Sequence, residues 1–288
     1  MNKIIIFIFS FLLGLQLSFA DVNSIQTQSG YNLVDELKQR YNDTRNNCGD
    51  EDQPAFLCSG IILRGTVPSN DYHSWNPSPH SQGSGGVSFS YLRTDSKLIT
   101  LDAGYSNGFI FSPYLSTSAN NKKHPESLCY FPVNADSFDR AEKGCGVSSG
   151  IPQSAPCQQQ GITTAQQWIT QWVNNGSDEQ YQCGFDVTIK SGENHADAFM
   201  QGIQARLQLS LAINNELILA TWPQNIPNEL PLEAFFYLSG GLAGAQHDQK
   251  DFYQVTGKVV PIIQIGLPSD YSQDATFSYN PEDQIIFN

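Results

Sequence analysis

The sequence predicts a mixed α+β fold, and three observations carry that prediction. Apolar residues recur at fourth positions in several stretches, the spacing of a helix with one buried face. Short apolar or aromatic runs bounded by Gly, Pro, Asn and Ser recur among them and read as strands. No repeat is visible, so these elements belong to one mixed domain and not to an array.

In chain order, residues 1–20 come first, as MNKIIIFIFSFLLGLQLSFA. Lys3, an apolar run to Leu17 and the small-x-small Ser18-Phe19-Ala20 read as a secretory signal cleaved after Ala20. The run is short for a membrane span of about 20 residues, so a retained anchor is the lesser reading. Residues 21–288 then form a single domain of 268 residues with a formal charge of −14, against −13 when Lys3 is counted. That charge argues against nucleic acid and against anionic membrane surfaces, both of which are gripped by Lys and Arg. An anionic ligand has to be held by a few local cations.

Leu33, Leu37 and Tyr41 are four apart and predict an amphipathic helix over 31–42. Residues 56–66, FLCSGIILRGT, read as a strand ending in a turn, and 70–86 as a long Ser-, Pro- and Gly-rich loop. VSFSYL (87–92) is a second strand, and 108–115 and 127–133 are further candidates. From 134 to 186 the chain is rich in Gly, Gln, Ser and Cys and reads as a disulfide-stapled insertion. One helix interrupts it, with Thr164 and Gln167 spaced for a capping box and Trp168 and Trp172 on one face. Phe199, Ile203, Leu207 and Leu211 mark another helix, and 216–222, 230–238 and 258–267 are strand-like. The polar tail after Pro268 predicts nothing.

Six cysteines, Cys48, Cys58, Cys129, Cys145, Cys157 and Cys183, all follow the signal. No C-x-x-C or H-E-x-x-H occurs, so a zinc site, or any other metal site, has no support. An even count in an exported chain predicts three disulfides and an extracellular or periplasmic setting. Local pairing favours Cys48–Cys58 and Cys145–Cys157.

Several residues are candidates for chemistry. Gly146-Val147-Ser148-Ser149-Gly150 has the G-x-S-x-G form, but the strand and helix that must flank a nucleophile elbow are not readable around it. Arg64 ends the rigid apolar run Gly60–Leu63 and offers a planar fork suited to phosphate or carboxylate. Taken alone, an exposed strand-end Arg is the commoner arrangement. Ser88 and Ser90 share one side of a strand. Glu233 stands inside the apolar run LPLEAFFYL, where an ionised carboxylate needs a partner or a purpose. Strand alternation puts Pro231, Glu233 and Phe235 on one side and Leu232, Ala234 and Phe236 on the other. Pro231 places that strand's start at an edge or an irregularity.

Arg64, Ser88 and Glu233, standing in ILRGT, VSFS and LEAFFYLSGG, resemble in order the motifs of the cholera-toxin-like group of ADP-ribosyltransferase folds. In that group a strand-borne Arg comes first, a V-S-T-S-type strand second, and a Glu followed by a short apolar run and Gly-Gly third. The segments RYNDTRNNCG, PAFLCSG, YHSWNPSP, GITTAQQW, QNIPNELPLEAFFYL and VVPIIQI are similar to the halovibrin family, secreted bacterial proteins that act on NAD. The resemblance implies an ADP-ribosyltransferase-like fold with a split β-sheet core. It implies cleavage of the nicotinamide–ribose bond, with NAD as substrate and no bound cofactor. Arginine-directed transferases of this fold usually carry a second Glu or Gln two residues before the catalytic acid; here that place is Pro231. Hydrolysis, or transfer to an acceptor other than arginine such as a protein of a host or target cell, is therefore favoured.

Breaking that bond builds positive charge on the sugar, as in glycoside hydrolysis. Glu233 is the expected carboxylate that steadies it, Ser88 the residue that orients the acid or the ribose, and Arg64 the phosphate clamp. Ser90 is a weaker claimant to the serine's role. Tyr72, His73 and Trp75 are candidates to stack on a ring of the dinucleotide, with plain loop packing the alternative. Two other readings stay open: a non-catalytic secreted binding module, and a two-carboxylate glycosidase.

Overall fold

The computed structural model describes residues 28–46, 48, 55–67, 71–76, 86–112, 126–133, 137–138, 145, 147–148, 157–176, 183–186, 198–209, 214–220 and 231–287. The secretory signal at 1–20 lies outside the described residues, as do His80, His124, His195 and Leu211. Among the described residues four α-helices are seen: α1 (28–42), α2 (Ala165–Asn175), α3 (Ala198–Gln208) and α4 (Leu242–Thr256). The strands are β1 (Ile61–Gly65), β2 (Val87–Leu92), β3 (Asn107–Phe111), β4 (Glu126–Phe131), β5 (Ser137–Phe138) and β6 (Val147–Ser148), followed by β7 (Phe185–Asp186), β8 (Glu216–Ala220), β9 (Leu232–Tyr237), β10 (Ile262–Gly266) and β11 (Thr276–Ser278). Nine of them form one mixed sheet in the order β11-β10-β9-β3-β1-β2-β8-β4-β7, and β5 pairs with β6 apart from it. The predicted α+β class is what is found.

Within that sheet β9 and β10 run parallel and the other pairs antiparallel. A parallel pair needs a crossover connection, and α4 supplies it between β9 and β10. The centre of the sheet divides at β2. Its second half pairs with β1 (Ile61↔Leu92, Ile62↔Tyr91, Leu63↔Ser90), and its first half pairs with β8 (Val87↔Leu219, Ser88↔Ile218, Phe89↔Leu217). Beyond Leu63, β1 stays with β3 alone, through Arg64↔Phe109 and Gly65↔Gly108. Strands β1 and β2 thus part company at Arg64.

Side chains alternate across these strands and feed two cores. Ile62, Phe89, Phe109, Phe111, Leu217, Phe235 and Phe252 belong to the larger one, while Ile61, Leu63, Ile110, Ala234, Phe236 and Ile263 meet Val34, Leu37 and Tyr41 of α1 in the other. The expected helix at 31–42 therefore buries the face that its spacing marks. The capping box of α2 forms as predicted, with Gln167 N–H donating to Thr164 and the Gln167 side chain accepting in return. Trp168 and Trp172 are fully buried and share the larger core with Tyr130, Phe185 and Phe199. The Cys-rich region thus contributes helix and strand to the main core.

Three disulfides form: Cys48–Cys58, Cys129–Cys145 and Cys157–Cys183. The first is the expected local pair. The expected Cys145–Cys157 pair does not form, because Cys129 on β4 and Cys183 just before β7 sit at the sheet edge where those two strands pair. Each takes one member of the local pair. Sequence proximity misled there because the sheet brings more distant partners closer.

Candidate active site

Arg64 is the first residue of β1 beyond its pairing with β2, and it is held firmly. Gly108 lies across from Gly65, and a Cβ on it would come within 1.9 Å of the Arg64 carbonyl oxygen. Only a glycine lets β3 approach so closely. One residue past Gly65, Thr66 Oγ1 donates to Asp248 Oδ2 at 2.9 Å, and Asn107 Nδ2 donates to the same oxygen at 3.1 Å. The half-buried Arg64 side chain crosses the opening between the strands, and its Nη1 donates to the Ser88 carbonyl at 2.6 Å.

Ser88 faces the other way with its hydroxyl, which donates to Glu216 Oε1 at 2.5 Å. Glu216 is the first residue of β8 and only 2 % exposed. Continuing the register Phe89↔Leu217 by one step sets Ser90 directly across from Glu216, with Ser88 on the diagonal, a separation that such side chains span. The two serines expected on one side of a strand thus flank an acid. Asn215 fixes the start of β8: its Oδ1 accepts from Tyr91 N at 2.7 Å and its Nδ2 donates to Tyr91 O at 3.0 Å. The side chain takes over the ladder bonds where β8 begins. Arg64, Ser88 and Glu216 therefore stand in contact in sequence on three neighbouring strands, β1, β2 and β8.

Glu233 is elsewhere. Between Ile110↔Ala234 and Phe111↔Leu232 the register slips by one residue, so Glu233 is the extra residue of a bulge in β9. The slip breaks the expected alternation: Leu232 joins Phe235 in the larger core while Ala234 joins the other. Pro231 does mark an irregularity, but β9 is an interior strand, between β3 and β10. The Glu233 carboxylate meets α1, where Arg40 Nη1 donates to Oε2 at 2.7 Å and Arg40 Nε donates to the Gly60 carbonyl at 3.1 Å. Burial pushes the Glu233 carboxyl above the usual carboxylate range, and the Arg40 guanidinium works against that rise. Arg64 points to the face of Ile62, and α1 covers the opposite face. The structure joins Arg64 to the Ser88 backbone, puts the Ser88 hydroxyl and Glu216 on the face of the sheet opposite Arg64, and leaves Glu233 on that same opposite face, two strands away from β1.

The aromatic loop is a tether. Trp75 is 1 % exposed, packs edge-on against Phe252 of α4, and donates from Nε1 to Asp251 Oδ2 at 2.7 Å. His73 stacks on Trp75 with ring centroids 4.8 Å apart and shares Asp251 through Nδ1, also at 2.7 Å. Ser74 donates to Asp248. Of the three ring candidates, then, Trp75 is buried and His73 is engaged in holding the loop to α4; Tyr72 is half-buried beside them. Ser148 of the G-x-S-x-G string lies on the two-residue β6. Among the described residues no three His, Cys, Asp or Glu cluster in a way that could hold a metal ion.

Glu216 was the residue that sequence reasoning passed over. Its signal is the same one that drew attention to Glu233, an acid heading an apolar run, here Leu217–Ala220. It sits at the strand's boundary behind Asn214 and Asn215, where an acid looks like part of a polar turn. In comparisons with known proteins, no protein-family model matches the chain and no curated protein is significantly similar to it.

Proposed function

We propose that the protein is a secreted NAD glycohydrolase that cleaves the nicotinamide–ribose bond, with Glu216 as the acid at the reacting centre. The observation that carries this reading is the double contact of Ser88, whose carbonyl accepts from Arg64 and whose hydroxyl donates to Glu216. One residue thereby couples a cation suited to phosphate with a fixed carboxylate. Three disulfides, and the lack among the described residues of a helix long and apolar enough to cross a membrane, accord with an exported protein. The likeness to halovibrin, and the order Arg, Ser-x-Ser, Glu-then-apolar-run, support the same chemistry. Glu216 meets the order and the apolar run, while the Gly-Gly of the resemblance follows Glu233, as Gly240-Gly241.

In this mechanism the neutral nicotinamide leaves with the electron pair of the glycosidic bond and needs no acid. The Glu216 carboxylate, already in place, steadies the positive charge that develops on the ribose. Ser88 holds the carboxylate in place by donating to it. Arg64 brings a positive fork to the pyrophosphate, offsetting the repulsion of a chain of net charge −13. Water then adds to the sugar carbon and loses a proton, giving ADP-ribose. With Glu216 in this role, the position two residues earlier is Asn214, which is neither the Glu nor the Gln that arginine-directed transferases usually carry there. That favours water over arginine as acceptor. The test is to incubate purified protein with NAD and measure nicotinamide and ADP-ribose: equimolar release supports the reading, and intact NAD refutes it.

A further inference from the structure

Arg206, in the last turn of α3, is fully buried, and its hydrogen bonds all go to backbone carbonyls. Nη1 donates to Pro132 O at 2.8 Å and to Asn214 O at 2.5 Å, and Nη2 donates to Ser96 O at 2.9 Å. Those carbonyls follow β4, precede β8 and follow β2, which are adjacent strands with β8 in the middle. Among the described residues Nε has no partner. Burial pushes the Arg206 pKa down to about 10. An apolar side chain of similar volume would ordinarily fill such a site at less cost, because a buried charge loses its hydration. What an apolar residue could not do is donate to three carbonyls.

The held carbonyl of Asn214 lies two residues before Glu216, and the Asn215 side chain between them is clamped to Tyr91. Both residues that lead into Glu216 are therefore fixed from outside their own strand. We propose that Arg206 is a positioning residue for the reaction: by gripping the Asn214 carbonyl it sets the backbone entering β8 and so keeps the Glu216 carboxylate on Ser88. This rests on the glycohydrolase reading for its kinetic consequence, and on the hydrogen bonds of Arg206 and Asn215 alone for its structural one.

The experiment compares Arg206→Met and Arg206→Lys with the wild-type protein by steady-state NAD cleavage and by crystal structures. A displacement of about 1 Å at the reacting group costs on the order of 10²-fold, so kcat of folded Arg206→Met should fall about that far with KM changed less than about twofold. Lysine keeps the charge without the planar fork, so Arg206→Lys should lose about 10-fold. In both crystals the Ser88–Glu216 hydrogen bond should be lengthened or lost while the β2–β8 pairing persists. A folded variant with that hydrogen bond in place and kcat within about threefold of wild type overturns the proposal. If Arg206→Met does not fold, Arg206→Lys decides by the same criteria. If the wild-type protein leaves NAD intact, the glycohydrolase reading fails, and the crystal structures still decide whether Arg206 places Glu216.

Discussion

Two glutamates stand at or near the start of apolar strands, and their partners give them different work. Glu216 accepts from the Ser88 hydroxyl at the place where β1 and β2 separate. Glu233 accepts from Arg40 and joins α1 to the bulge in β9, with both side chains largely buried, at 13 % and 19 % exposure. A carboxylate so paired serves the fold. Replacing Glu233 by Gln keeps the shape and weakens a charge-assisted hydrogen bond, a loss of about 2 kcal/mol. Thermal denaturation of Glu233→Gln should therefore show a Tm lowered by roughly 4–8 °C, and an unchanged Tm would remove the structural role. The expected alternation around Glu233 fails because a bulge cannot be seen in an apolar run. Strict alternation would have kept its side chain with Phe235; one extra residue in β9 turns it to α1.

Helix α4 shows why an element can escape the sequence. Its buried positions include Asp248 and Gln249 beside Ala245 and Phe252, so the apolar period that reveals a helix is interrupted by polar residues. Those polar residues are what the helix contributes. Asp248 gathers Thr66, Asn107 and Ser74, fixing the end of β1 beyond Arg64 and the loop after it. Burial raises the Asp248 pKa above the ordinary range, and its hydrogen bonds partly restrain the rise. An acid whose folded pKa is raised binds its proton more tightly in the native state than in the unfolded chain. Its contribution to stability is complete below the ordinary carboxylate range and is lost as pH rises through the folded pKa. Asp248→Asn has no such titration. The Tm of wild type relative to Asp248→Asn should therefore grow as pH is lowered from neutrality towards that range; a difference independent of pH would contradict the burial of an ionisable Asp248. Strand β11 escaped for a similar reason, since only Phe277 of its three residues is buried.

Across the whole molecule, the α+β class, most of the strands and three of the helices were legible, because each buries an apolar stripe of the right period. Which strands lie side by side was not legible, and the site depends on that. Arg64 and Ser88 could be picked out as strand residues with chemistry to offer, but their meeting with Glu216 follows from β2 changing partners midway, a long-range event that leaves no local mark. The disulfides follow the same logic: only the pair closing the ten-residue separation could be read from spacing. Cys157–Cys183 spans 26 residues beside the β4–β7 edge, and a loop of that length implies about 3 kcal/mol. The Cys157→Ser, Cys183→Ser double variant should unfold at least several degrees lower; an equal Tm would show that the bridge adds nothing. The central claim is that Glu216, and not Glu233, is the carboxylate at the reacting centre. Nicotinamide release from NAD by Glu216→Gln and Glu233→Gln, assayed side by side as folded proteins, tests it most directly. The account predicts a loss of at least about 10²-fold for Glu216→Gln, with Glu233→Gln close to wild type below its melting temperature. Activity retained by Glu216→Gln and abolished in Glu233→Gln would contradict it.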